Sequence, residues 1–122
     1  MDRAQAIYQF WSGFGIPAYD ENTVPDDAVM PYITYNVSTG SIGDPVLLNA
    51  SVWYRSTRWR DITHKVDEIE HYIDTVSPLA IKIDGGRAYF TKGTPFSQRM
   101  AEPGDDMTRR IYLQINAEFL TN

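Results

Sequence analysis

His64, Glu68 and His71 are the side chains of this sequence best suited by type to hold a metal ion or move a proton. A Glu-x-x-His pair is the spacing used in di-iron helical bundles, where a second such pair and further glutamates complete the site. This chain has one pair and only two histidines. On a helix rising 1.5 Å per residue the two imidazoles start about 10 Å apart along the axis, too far to share one ion. The expectation is a polar helix face, with no metal and no cofactor. Nucleophilic chemistry has no better support. Ser56 and Thr57 stand in no Gly-x-Ser-x-Gly elbow, and no oxyanion-hole sequence accompanies them. Gly40-Ser41-Ile42-Gly43 lacks the lysine and following helix of a phosphate loop and reads as a turn. Asp26-Asp27 and Asp105-Asp106, the latter near Glu102, lack the ordered oxygen spacing of a calcium loop and read as solvated charge. The sequence predicts no catalytic residue and no enzyme.

Arg55, Arg58 and Arg60 bracket Trp59, and this cluster is the strongest candidate site. Basic residues interleaved with an aromatic serve nucleic acid in some proteins. Arginine and tryptophan are also the residue types enriched at the anchors of protein interfaces. The formal net charge of −5 opposes free-standing DNA binding and adsorption to an acidic membrane surface. Arg55, Arg58, Trp59 and Arg60 are therefore expected to form a subunit interface.

The elements that must position these residues are legible in the hydrophobic spacing. Residues 2–12 place Ala6, Ile7, Phe10 and Trp11 at helical intervals, with Asp2 as cap and Gly13 and Gly15 as the stop. The acidic, proline-rich 17–31 segment reads as loop, with a short strand at Ile16 to Tyr19 as an option. Tyr32 to Ser38 alternates, with Ile33, Tyr35 and Val37 on one face. Val46, Leu48, Ala50, Val52 and Tyr54 alternate likewise, and the two strands are expected to pair antiparallel across a polar connection. From Trp59 to Thr75 a second helix carries Ile62, Val66, Ile69, Ile73 and Val76, all within about 40° of one direction at 100° per residue. Ser77-Pro78 should end it. Asp84-Gly85-Gly86 is a tight-hairpin signal between Ile81–Ile83 and Ala88–Thr91, and Phe96 to Met100 reads as a short strand start before a Gly/Asp loop. Ile111, Leu113, Ile115, Ala117 and Phe119 define a last strand with one wet face, formed by Tyr112, Gln114, Asn116 and Glu118. The predicted fold is α+β, a two-layer sandwich of mostly antiparallel sheet with two helices on one face, in the order α-β-β-α-β-β-β.

At 122 residues and 43% apolar content, the chain is long enough for one domain with a real core, expected to span 1–122. It has no cysteine, so neither disulfides nor thiolate metal sites arise. No apolar run approaches the roughly 20 residues that span a bilayer. "MDRAQAIYQFW" carries an acid and lacks the apolar segment of a signal peptide, so the chain is expected to be made and kept soluble in the cytoplasm.

Taken in order, the short N-terminal helix, the acidic proline-rich loop, "PYITYNVSTG", a strand ending in Tyr54-Arg55 before a long helix, the "DGGRAYFTKG" hairpin and the terminal strand from Arg109 to Ile115 resemble the tail terminator family of long-tailed bacteriophages. These are also described as tail completion, tail-to-head joining or minor capsid proteins. The resemblance covers nearly the whole chain and rests on the order of elements and the length, since each motif occurs in many folds. It carries no active site. It implies a virion protein at the tail–head junction: a homohexameric ring that caps the tail tube, stops its growth and docks on the head-completion or stopper protein. Genomic DNA would pass through the lumen without sequence recognition, and an acidic lumen would let it slide. A closed ring uses two different patches head to tail, and Arg55, Arg58 and Arg60 against Glu21, Asp26 and Asp27 would suit such a contact. Two other readings compete. One is a neighbouring neck protein such as the stopper. The other is a small cytoplasmic ligand-binding α+β domain, which would need a pocket with convergent polar groups.

Overall fold

The computed structural model of the chain describes residues 1–76 and 78–121. Its elements run α1 (Arg3–Ser12), β1 (Ala18–Asp20), β2 (Tyr32–Tyr35), β3 (Val46–Arg55), α2 (Arg60–Thr75), β4 (Ala80–Ile83), β5 (Gly86–Met100) and β6 (Thr108–Thr121). The fold is α+β, with two helices and one six-stranded sheet in the order β1-β2-β3-β6-β5-β4. The sheet is mixed but mostly antiparallel, and it curls strongly into a half-barrel. No described helix is long and apolar enough to cross a membrane.

The first helix begins, and both helices face, as their sequences dictate. Asp2 caps α1 by accepting from the Gln5 amide at 2.7 Å, while the Gln5 side chain accepts from the Asp2 amide, a reciprocal pair that satisfies two orphan donors. Ala6, Ile7, Phe10 and Trp11 are all buried. In α2, Ile62, Val66, Ile69 and Ile73 are buried, whereas Val76 follows the last helical residue and is 39% exposed. The stripe is one residue shorter than its spacing implied, because the helix ends at Thr75. The expected stop at Ser77 lies outside the described residues.

Alternation along β3 and β6 turns Leu48, Ala50 and Val52, and Ile111 through Phe119 at every second position, toward the helices. Phe10 of α1 stacks on Phe90 of β5 at 5.0 Å, and Phe14 packs edge-on against Tyr72 of α2 at 5.5 Å. Phe10 of α1 thus rests on the sheet, and the turn after α1 meets α2. The other face carries Tyr32, Thr34, Asn49, Trp53, Tyr112, Gln114 and Asn116, all half-buried.

The expected order is corrected to α-β-β-β-α-β-β-β. The added strand, β1, lies at Ala18–Asp20, overlapping the optional strand at Ile16 to Tyr19, and pairs in parallel with β2, Ala18 opposite Ile33 and Asp20 opposite Tyr35. β2 ends at Tyr35, so Val37 is outside the strand and 38% exposed. Phe96 to Met100 is no separate strand. β5 runs on through Gly93-Thr94-Pro95, where its register against β6 slips between Lys92 and Ser97. An irregularity of that kind absorbs the residues that cannot keep a ladder, and pairing resumes beyond it. The hairpin between β4 and β5 is as tight as its sequence promised. Ile83 faces Gly86, and Gly85 takes φ +76°, which glycine adopts without cost.

The start of the chain is tied to this hairpin. The Met1 ammonium contacts Asp84 Oδ1 at 2.6 Å, and the Asp84 amide donates to the Met1 carbonyl at 2.7 Å.

Candidate subunit interface at the arginine-rich end

Trp59 stands at the N-cap position of α2, but it does not face outward as an interface anchor would. Its ring is half-buried against the core. Two guanidinium groups lie over it, Arg99 of β5 at 4.8 Å and Arg109 of β6 at 5.4 Å from the ring centre. Such contacts draw cations to the aromatic face. Arg109 also donates to the Thr57 carbonyl at 2.9 Å and the Thr108 carbonyl at 3.0 Å, which fastens the β3–α2 connection to β6.

Arg110 points the opposite way, because successive residues of a strand alternate between its faces. It lies 4.8 Å from the Trp53 ring, donates from Nε to Ser51 Oγ at 2.9 Å, and sits 3.5 Å from Glu102. Trp53 in turn donates to Thr34 Oγ1 at 2.9 Å. The Arg109-Arg110 doublet therefore clamps one tryptophan on each side of the sheet.

Arg55, Arg58 and Arg60 are exposed. Arg60 approaches Asp61 at 3.9 Å with both side chains largely in water, a contact worth little. Arg55 lies opposite Thr108 across the β3–β6 pair. The structure thus splits the predicted set. Three arginines face solvent, Trp59 turns inward, and Arg99, Arg109 and Arg110 join them at the same end. Six of the chain's eight arginines gather there. The doublet at 109–110 was legible as sequence, but its role was not, since only the register shows which tryptophan each member meets.

Besides Asp61, acids reach this end from the β5–β6 loop. Asp105 accepts from Thr108 Oγ1 at 2.7 Å and from the Met107 amide at 2.9 Å. These bonds, with Arg55 and Arg109 nearby, hold its carboxyl below the ordinary carboxylate range. A carboxyl depressed in the folded state favours folding above its unfolded pKa, and that contribution is lost as pH falls through the folded value. Asp105→Asn is expected to flatten the acid limb of the melting temperature plotted against pH. An unchanged acid limb would show that the bonds are not formed in solution.

The opposite flank of the sheet has the opposite sign. Between Arg3 and Arg55 there is no lysine or arginine, while Asp20, Glu21, Asp26, Asp27 and Asp44 all fall in that interval. Glu21, Asp26 and Asp27 are exposed on the β1–β2 loop. No family model matches this chain, and a search among curated proteins finds no relative.

His64, Glu68 and His71 are exposed on the outer side of α2, in an open polar hollow with Tyr54, Arg60, Asp61, Lys65 and Asp67. Among the described residues no three His, Asp or Glu side chains converge on a metal position. Lys65 has a structural task instead, donating to the Phe14 carbonyl at 2.7 Å and to Glu68 at 3.1 Å. It ties α2 to the turn after α1. Ser56 Oγ accepts from the Arg58 amide at 3.0 Å and shapes the turn into α2.

Proposed function

We propose that this chain is a structural virion protein of the tail terminator kind, a subunit of a homohexameric ring that caps a phage tail tube, ends its growth and joins it to the head. The reading takes residues 1–122 as one terminator-like domain without catalytic residues. In it the helices and the buried face of the sheet form two layers, and the flanks of the sheet are left to neighbouring subunits. The tail tube protein and a head-completion or stopper protein are its partners, and genomic DNA slides through the lumen.

The observation that carries this reading is the pair of exposed patches of opposite sign on one subunit. Arg55, Arg58 and Arg60 stand at one end, and Glu21, Asp26 and Asp27 stand on the other flank. A patch that fits a different patch on the next copy builds a head-to-tail assembly, which closes into a ring when the rotation allows.

The test is electron microscopy of particles assembled with Arg58→Glu, beside circular dichroism of the purified subunit. Arg58 is exposed and off the core, so the subunit should keep its native spectrum. Reversed charge repeated at every contact of the ring should give tails of uncontrolled length, or tails that never join heads. Normal tails joined to filled heads would overturn the assignment of this patch. Particles lacking the protein at the tail–head junction would overturn the functional reading.

A further inference from the structure

The sheet has two open edges, and they lie in the same row. β1 closes one side with three residues bonded to β2 alone. On the other side β4 covers only Gly86–Tyr89 of β5. From Thr91 to Met100, β5 has β6 on one side and, among the described residues, no strand on the other. An uncovered edge is a template for another strand.

The registers fix how the two edges align. Ala18 faces Ile33, which faces Val52, then Ile111, then Arg99. Asp20 leads in the same way through Tyr35, Ala50 and Leu113 to Ser97. Across this row the sheet is five strands wide, ending in Ala18–Asp20 at one margin and Ser97–Arg99 at the other. Direction is fixed as well. β1 runs with β2 and therefore against β3, while β6 opposes β3 and β5 opposes β6. β5 and β1 of two copies set side by side in one orientation are thus antiparallel, the sense that gives the more stable ladder.

Charge matches the alignment. The β1 margin continues into the exposed acids Glu21, Asp26 and Asp27, with no cation in the interval 4–54. The β5 margin carries Arg99, exposed and in no ion pair among the described residues, over the ring of Trp59, which follows the exposed Arg58 in the chain. Lys92, farther along, is already held by Glu70 at 3.1 Å and Asp74 at 2.9 Å.

We infer that a second copy of this chain adds its β1 antiparallel to Ser97–Arg99 of β5, so that the sheet continues from subunit to subunit, with the acidic β1–β2 loop against Arg99 and Arg58. The inference rests on the ring reading only in taking the partner to be a second copy. It names backbone pairing, not the arginines alone, as the contact.

The absence of cysteine makes a direct test simple. In the antiparallel alignment Asp20 falls opposite Ser97 of the neighbour, with both side chains on one face. An Asp20→Cys, Ser97→Cys double variant treated with a short bismaleimide should give a ladder of covalent multimers that stops at the closed ring. Each single variant alone should stay monomeric, and a mixture of the two singles should give dimers only. Arg99→Glu in the double-cysteine chain should cut the ladder at least tenfold, with circular dichroism unchanged. Restoration by mixing an Asp20→Cys, Glu21→Lys chain with a Ser97→Cys, Arg99→Glu chain, seen as cross-linked dimers, would secure the charge match. Dimers from each single variant would mean a two-fold contact and overturn the inference. So would the absence of any ladder at millimolar concentration. Particle microscopy separates the two claims: a ring at the tail end without this cross-link removes the contact alone, and a ladder without any tail phenotype removes the tail function alone.

Discussion

Replacing Phe90 with alanine is expected to lower the free energy of unfolding by about 3–5 kcal/mol, the range for truncating a buried aromatic. The side chain is 2% exposed and stacks on Phe10 with planes 19° apart. Phe10 in turn meets Trp11 at 4.7 Å and Phe14 at 5.6 Å, both edge-on. Phe90 therefore joins the sheet to the aromatic cluster of α1. Its partner across the β5–β6 pair is Ala117, too small to fill the space from that strand. A urea series read by tryptophan fluorescence measures the loss through the midpoint at constant slope. A change below about 1 kcal/mol would mean that α1 does not rest on β5 in solution.

Gly86→Ala is expected to be nearly as damaging, through crowding instead of a cavity. A Cβ built at Gly86 would collide with the Leu120 carbonyl oxygen and press on the Thr121 Cα. Both are backbone atoms of β6, so the neighbour cannot rotate away as a side chain would. The two strands must separate where Gly86 pairs with Thr121 and Arg87 with Leu120. Overpacking costs about 1–3 kcal/mol, and a backbone obstacle places this site at the upper end. Gly13→Ala is the control. Gly13 ends α1 at φ −85°, and a Cβ there meets nothing closer than 3.6 Å. That change should be neutral or stabilise by about 0.4–1 kcal/mol through the unfolded chain. Equal losses at the two glycines would show that close approach at Gly86 is not the cause.

The elements with a strong period were legible from residue order. Four of the five apolar positions of α2, the capped first helix and all five inward residues of β6 stand buried where the spacing put them. What escaped was pairing without a local signal. β1 is three residues long and joins β2 in parallel, across an acidic loop whose prolines read as a break. Nothing within seventeen to thirty-one announces a partner that comes only after the loop. β5 was cut short for a similar reason, since Gly93 and Pro95 are strand breakers unless a register slip accommodates them. In the candidate interface the exposed arginines were found by type and spacing, but Trp59 was expected among the contacts and is instead held from within. Arg99 and Arg109 lie forty residues or more downstream, and only the tertiary fold sets them against its ring.

The position of β6 has a consequence for how the molecule is made. It is the last strand in chain order yet lies between β3 and β5, and its pairings with them are the most extensive in the sheet. While the polypeptide emerges from a ribosome, β3 and β5 are complete but have no neighbour to share, and each shows an apolar face and an open ladder. Such nascent chains are prone to stick to one another, and contacts that span the length of a chain form slowly. No half of this domain can be laid down first and kept. The final fourteen residues of sheet convert two idle hairpins into a single cooperative body, so a chain halted before Thr108 should go to chaperones or proteases, not to assembly.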